Sequence, residues 1–204
     1  MSSLVVRSGG CSLMIELAEQ WLIDGAPLDR QIAAVFDRCF AGDYRTQLCG
    51  GAEEPLYVPA GSLGELHTVW YREDFARSAL HEAAHWCIAG DARRQLDDYG
   101  YWYEPDGRNE VQQREFERVE SRPQALEWFF AMAAGLPFRV SIDNLSGGDI
   151  DDFPFALAVW QRAHRYASEG LPPRAERFRR ALAVAFCQPL AIDPSRLLLT
   201  DLRS

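Results

Sequence analysis

Residues His81-Glu82-Ala83-Ala84-His85 set two imidazoles four positions apart around an acid. On a helix, positions i and i+4 project from one face roughly 6 Å apart, so both rings can reach a single metal ion. Packing against Trp86 and Ile88 as ordinary core histidines would suit one His better than two on a common face. Two histidines do not complete a site, and the other two of the four, His67 and His164, stand in no spacing relation to the pair. A downstream carboxylate is the natural third ligand. The run Glu115-Phe116-Glu117-Arg118-Val119-Glu120-Ser121 offers Glu117 and Glu120 on one helix face. Most charges in such a run are solvated. Glu120 is preferred, because it adjoins the apolar segment Ala125 to Ala134 and is the better placed for burial. Glu82 is turned about 100° from His81 on the helix, beside the metal and outside the ligand set. In a hydrolase it would take a proton from a metal-bound water. In an oxygenase it would orient water or O2, or hold a substrate amine. Two His and one carboxylate serve zinc hydrolases and non-haem Fe(II) oxygenases alike, so spacing leaves that choice open.

These side chains need elements to carry them. Asp74 as N-cap and Gly90 as stop predict the site helix over Phe75 to Ala89, with small or apolar residues at its other positions. A helix from Asp29 as N-cap to Ala41 buries Ile32, Val35, Phe36, Cys39 and Phe40 at helical spacing. Helical periodicity lapses over 43–72, where Leu56 to Pro59 and His67 to Tyr71 predict a small sheet or hairpin. A polar helix is expected over Asn109 to Ser121, with a break or turn at Pro123 and an apolar helix over Gln124 to Ala134. Residues 136–152 read as irregular, 154–168 and 174–187 as helices, and 12–24 as a short helix. The fold class is α+β, predominantly helical. Tyr99, Tyr101, Trp102 and Tyr103 either line a pocket or pack under a loop, and Asp97, Asp98, Asp143, Asp149, Asp151 and Asp152 either attract a cation or are plain loop acids.

A chain of 204 residues with 48% hydrophobic and 25% charged residues is long enough for a proper core and expected to form one domain, 30–204, preceded by a partly disordered extension, 1–29. A net charge of -9 argues against sequence-independent nucleic-acid binding and against an anionic membrane surface. All the basic residues are Arg, which points to compositional bias in the source and carries no function. Five cysteines without a C-x-x-C pair signal neither a disulfide framework nor a thiolate zinc site, and fit a reducing compartment. No apolar run reaches the roughly 20 residues of a membrane span, or the core of a signal peptide, so a cytoplasmic location is expected.

Several blocks together resemble the bacterial elongation factor P hydroxylases: Ala79-Leu80-His81-Glu82-Ala83-Ala84-His85-Trp86-Cys87-Ile88-Ala89-Gly90, then Gly100-Tyr101-Trp102-Tyr103-Glu104-Pro105-Asp106-Gly107-Arg108. Phe116 to Trp128 and Val140-Ser141-Ile142-Asp143-Asn144-Leu145 extend the resemblance, which runs from about Ile32 to Phe186. It implies a monooxygenase that adds one oxygen atom to the β-lysylated lysine of translation elongation factor P. It further implies a divalent metal, Fe(II), with O2 as cosubstrate, in a minimal zinc-metallopeptidase-like core. His81 and His85 match the family's helix ligands, and Glu120 its carboxylate, with Glu117 left open. Docking of an acidic partner would need a local basic patch, for which Arg93, Arg94 and Arg108 are candidates. The alternatives are a zinc-dependent peptidase using the same ligands with Glu82 as general base, and a binding module in which a metal only joins helices.

Overall fold

The computed structural model describes residues 21–61, 65–97, 110–142 and 151–203. The expected helix at 12–24 lies mostly outside these residues, and so do the aromatic cluster at 99–103, Asp98, Arg108, Asp143 and Asp149. Helix α1, Leu28–Phe40, turns the stripe Ile32, Val35, Phe36, Cys39 and Phe40 inward. Its N-cap is Pro27 and not Asp29. Proline costs nothing at a helix start, where its missing N–H would have had no partner. Asp29 is instead buried in the first turn, where it accepts the Tyr71 hydroxyl at 2.6 Å.

The sheet has three strands, β1 (Thr46–Ala52), β2 (Leu56–Val58) and β3 (His67–Arg72), in the order β1-β3-β2. The last strand in sequence is thus the middle one, parallel to β1 and antiparallel to β2, so of the two expectations the small sheet holds, and it is mixed. Strand β1 is invisible to periodicity because it runs into Cys49-Gly50-Gly51. Gly50 answers a packing demand: a Cβ there would lie 2.5 Å from the Tyr71 ring on the neighbouring strand.

Helix α2, Ala76–Ile88, packs on β3 and presents Ala79, Leu80, Ala83, Ala84 and Cys87 to the core. Asp74 is not its cap; Phe75 holds that position without a side-chain bond. Its C-terminal end is held from another helix, where the Arg174 guanidinium donates to the carbonyls of Cys87 and Ala89 and lies 4.7 Å from the centre of the Trp86 ring. These contacts fix the far end of the helix that carries the two histidines.

Helix α3 is one uninterrupted 24-residue element, Glu110–Ala133, with Pro123 inside it. The two helices expected on either side of Pro123 are therefore one. An internal proline costs about 3 kcal/mol. Burial of Leu126, Phe129 and Phe130, each contributing roughly 1.5–3 kcal/mol, outweighs that cost. Helices α4, Phe153–Glu169, and α5, Pro173–Ala185, close the core against α3, and Phe178 of α5 meets the rings of Phe36, Phe40 and Phe130. Among the described residues no helix is long and apolar enough to cross a membrane.

Candidate metal centre

Close packing of α2 on α3, allowed by the alanines of α2, brings His81 and His85 against Glu120. The Nε2 atoms of the two rings are 3.0 Å apart. Glu120 Oε1 is 3.3 Å from His85 Nε2, and Oε2 is 3.5 Å from His81 Nε2. Donor atoms bound to one cation at about 2.0–2.2 Å stand about 3 to 3.6 Å from one another, so this triangle has the dimensions of a coordination face. Glu120 is 1% exposed, and its Oε1 accepts no hydrogen bond among the described residues. A buried carboxylate oxygen left this way is costly unless a cation meets it. The His81 and His85 side chains keep 24% and 19% exposure, so the centre remains reachable from solvent. The donor set therefore fits a divalent metal. Glu117 is half-buried and is not part of the converging group.

Two residues not anticipated from sequence complete the surroundings. Glu127, two turns beyond Glu120 on α3 and 5% exposed, places Oε2 at 2.8 Å from His81 Nδ1. Gln124, one turn beyond Glu120, bonds Glu120 and clasps the backbone of Ser141, donating to its carbonyl at 2.7 Å and accepting from its N–H at 3.0 Å. Polar residues at i, i+4 and i+7, which share one face where α3 passes from its charged to its apolar half, were the available signal.

Burial works against a charge on His81, but the hydrogen bond to Glu127 and the charges of Glu127, Glu120 and Glu82 outweigh it and raise the ring to about 10. Burial likewise pushes Glu120 up, and His85 and His81 reverse that and hold it near 2. Glu82 is half-buried beside the group; burial raises its carboxyl above the usual range, Glu120 and Glu127 add to this, and His81 and His85 oppose it.

The other candidates lie elsewhere. His67 accepts the Ala60 N–H at 2.8 Å, and His164 packs at a tilt of 53° against Trp160, with the ring centroids 4.3 Å apart. Asp97 is exposed, while Asp151 and Asp152 face Arg203 at 3.6 and 2.6 Å. Arg94 does not form an open basic patch with Arg93: it pairs with Asp91 and lies over the rings of Tyr44 and Trp86.

Fold and site together define a class: a mostly helical α+β protein with a buried two-histidine, one-carboxylate centre suited to a divalent cation. Sequence comparison makes the assignment particular. The model of the family described as elongation factor P hydroxylase matches residues 35–196, which include the whole centre. The elongation factor P lysine hydroxylase of Haemophilus influenzae is 51% identical over 155 residues, covering 76% of this chain and 86% of that protein. The chain belongs to the elongation factor P hydroxylase family.

Proposed function

We propose that this chain hydroxylates elongation factor P at a lysine side chain, in its β-lysylated form, with Fe(II) held by His81, His85 and Glu120 and O2 as cosubstrate. The observation that carries this reading is the 51% identity to a protein named for that reaction, across the residues that build the centre. A ferrous ion held by these three residues would supply activation of O2 for attack on an unreactive C–H bond, which no side-chain base achieves, one oxygen atom entering that bond and the other leaving as water with two electrons from an external reductant.

The chain's own residues bind, orient and move protons. His81 and His85, one helical turn apart, present their Nε2 atoms to the ion, and Glu120 contributes the charge that offsets its own. Glu82 is assigned the catalytic proton-moving role. Its carboxyl lies within electrostatic reach of both histidines, and its raised pKa lets it exchange protons closer to neutral pH than a solvated carboxylate does. The same acids favour a cationic lysyl arm over a neutral one.

We read the sheet and the H-E-x-x-H helix as a minimal zinc-metallopeptidase-like core. Residues 30–204 hold the single catalytic domain, 1–29 are an extension whose last residues pack on it, and the work is done in the cytoplasm, with no nucleic acid or membrane as partner.

Elongation factor P co-expressed with its lysyl-modifying enzymes and this chain should gain one oxygen atom on the modified lysine by peptide mass spectrometry. With His81→Ala in place of the wild type, it should gain none. No added oxygen in the presence of folded, iron-loaded protein and lysylated substrate overturns the proposal. The zinc-peptidase alternative would then take its place, tested by loss of hydrolysis in Glu82→Gln.

A further inference from the structure

The hydroxylase reading uses the Nε2 face of His81 and leaves its other nitrogen to Glu127. We propose that Glu127 is a positioning residue that fixes His81 in the Nδ1–H tautomer, so that the Nε2 lone pair points to the metal. The inference rests on His81 being a ligand through Nε2.

The geometry is that of a ring gripped from both edges. Glu127 Oε2 is 2.8 Å from Nδ1 on one side, and Glu120 Oε2 is 3.5 Å from Nε2 on the other. A neutral imidazole has one N–H, and which nitrogen carries it is set by the stronger acceptor nearby. A buried carboxylate at 2.8 Å claims that proton for Nδ1, which leaves Nε2 free to bind a cation.

The other Glu127 oxygen, Oε1, is 4.0 Å from the Arg77 Nε. Arg77 is in turn anchored by a 2.6 Å bond from Nη2 to the Arg139 carbonyl, and its guanidinium lies 6.0 Å from the centre of the Phe138 ring. Arg77 and His81 are one turn apart on α2, while Glu120 and Glu127 are two turns apart on α3. The His81–Glu127 bond therefore links the two helices as well as orienting one ring. Glu127 cannot serve as a further ligand to the same ion, because the imidazole lies between its carboxylate and the Nε2 edge.

The test reads tautomer and affinity, not turnover. In the zinc-loaded full-length protein, long-range 15N–1H correlation spectra resolve the ring nitrogens of its four histidines, with His67→Ala, His85→Ala and His164→Ala used for assignment. His81 should show a protonated Nδ1 and a metal-bound Nε2. Competition with a chromogenic chelator should show zinc affinity lowered about 10- to 100-fold in Glu127→Ala, with substantial recovery in Glu127→Gln, whose amide oxygen still accepts from Nδ1–H.

A wild-type spectrum with His81 protonated at Nε2, or bound through Nδ1, overturns the proposal even if the alanine variant fails to fold. Affinities of both Glu127 variants within twofold of wild type overturn it as well. Undiminished zinc affinity in His85→Ala would instead sink the ligand reading on which it rests, so the two failures are distinguishable.

Discussion

Glu120 bears the largest burden of any single side chain in the centre, a carboxylate at 1% exposure whose charge must be compensated where it sits. The charges of His85 and His81 and the bond from Gln124 do so, which holds its carboxyl near 2. Glu120→Gln keeps the volume and the bond to Gln124 but gives up the negative charge opposite the cation. Metal content measured by mass spectrometry after gel filtration should fall by more than the 10- to 100-fold typical of losing a hydrogen-bonded support. Glu117→Gln, outside the converging group, should retain wild-type metal content. The opposite ranking would transfer the ligand role to Glu117. At this scale the sequence was informative where spacing is set by a single helix, as with His81 and His85, and where an acid abuts an apolar segment, as with Glu120. Glu127 was missed because an acid read alone inside a charged-then-apolar helix resembles a surface residue. Only its two-turn distance from Glu120 on the same buried face distinguishes it.

The elements were legible in proportion to how locally they are determined. Helix α1 follows from apolar spacing, α2 from small and apolar residues ahead of a glycine stop, and α4 and α5 flank a Gly/Pro break; all four were expected to within a few residues. Strand β1 and the continuity of α3 through Pro123 depend on distant partners, β3 in one case and a shared core in the other, and local patterns do not hold that information. The join between α1 and β1 shows how such a partner acts. Asp37 on α1 accepts the Leu48 N–H of β1 at 2.8 Å, while burial raises its carboxyl to about 6 against the opposing effect of that bond. A carboxyl raised in the folded state contributes stability that is full below its unfolded pKa of 3.8 and is lost as pH rises through about 6. Asp37→Asn keeps the acceptor and removes the charge. Urea unfolding should therefore show the variant more stable than wild type by about 1 to 2 kcal/mol at pH 8, the partial exposure of Asp37 reducing the full effect. The gap should narrow to a few tenths at pH 4. A variant no more stable than wild type at pH 8 would mean that the ionised carboxylate is better solvated at this helix–strand junction than its burial implies.

For the whole molecule the question is where the working unit begins. The family match opens at residue 35, inside α1, and the family resemblance implied an extension ending at 29. Packing argues for an earlier boundary. Trp21 and Leu22 lie against the core, and the Gln31 side chain accepts from the Ile23 N–H at 2.7 Å while donating to the carbonyls of Ile23 and Ala26. These contacts tie 21–26 to the second turn of α1, whose opposite face contributes Phe36 and Phe40 to the ring cluster around Trp86. Trp86 is the neighbour of His85, so loosening α1 loosens the support behind the site helix. Deletion of residues 1–20 is the reference against which the contacts of 21–26 are measured. Deleting 1–26 removes a partly buried Trp and Leu and the Gln31 clasp, and should cost about 2 to 4 kcal/mol in urea unfolding. Equal stability of the two deletions would move the boundary back to 29 and make 21–26 dispensable to the fold. If the longer deletion lost stability yet kept full metal affinity, the contacts of α2 with β3 and α3 would be enough to hold the two histidines in place without support from α1.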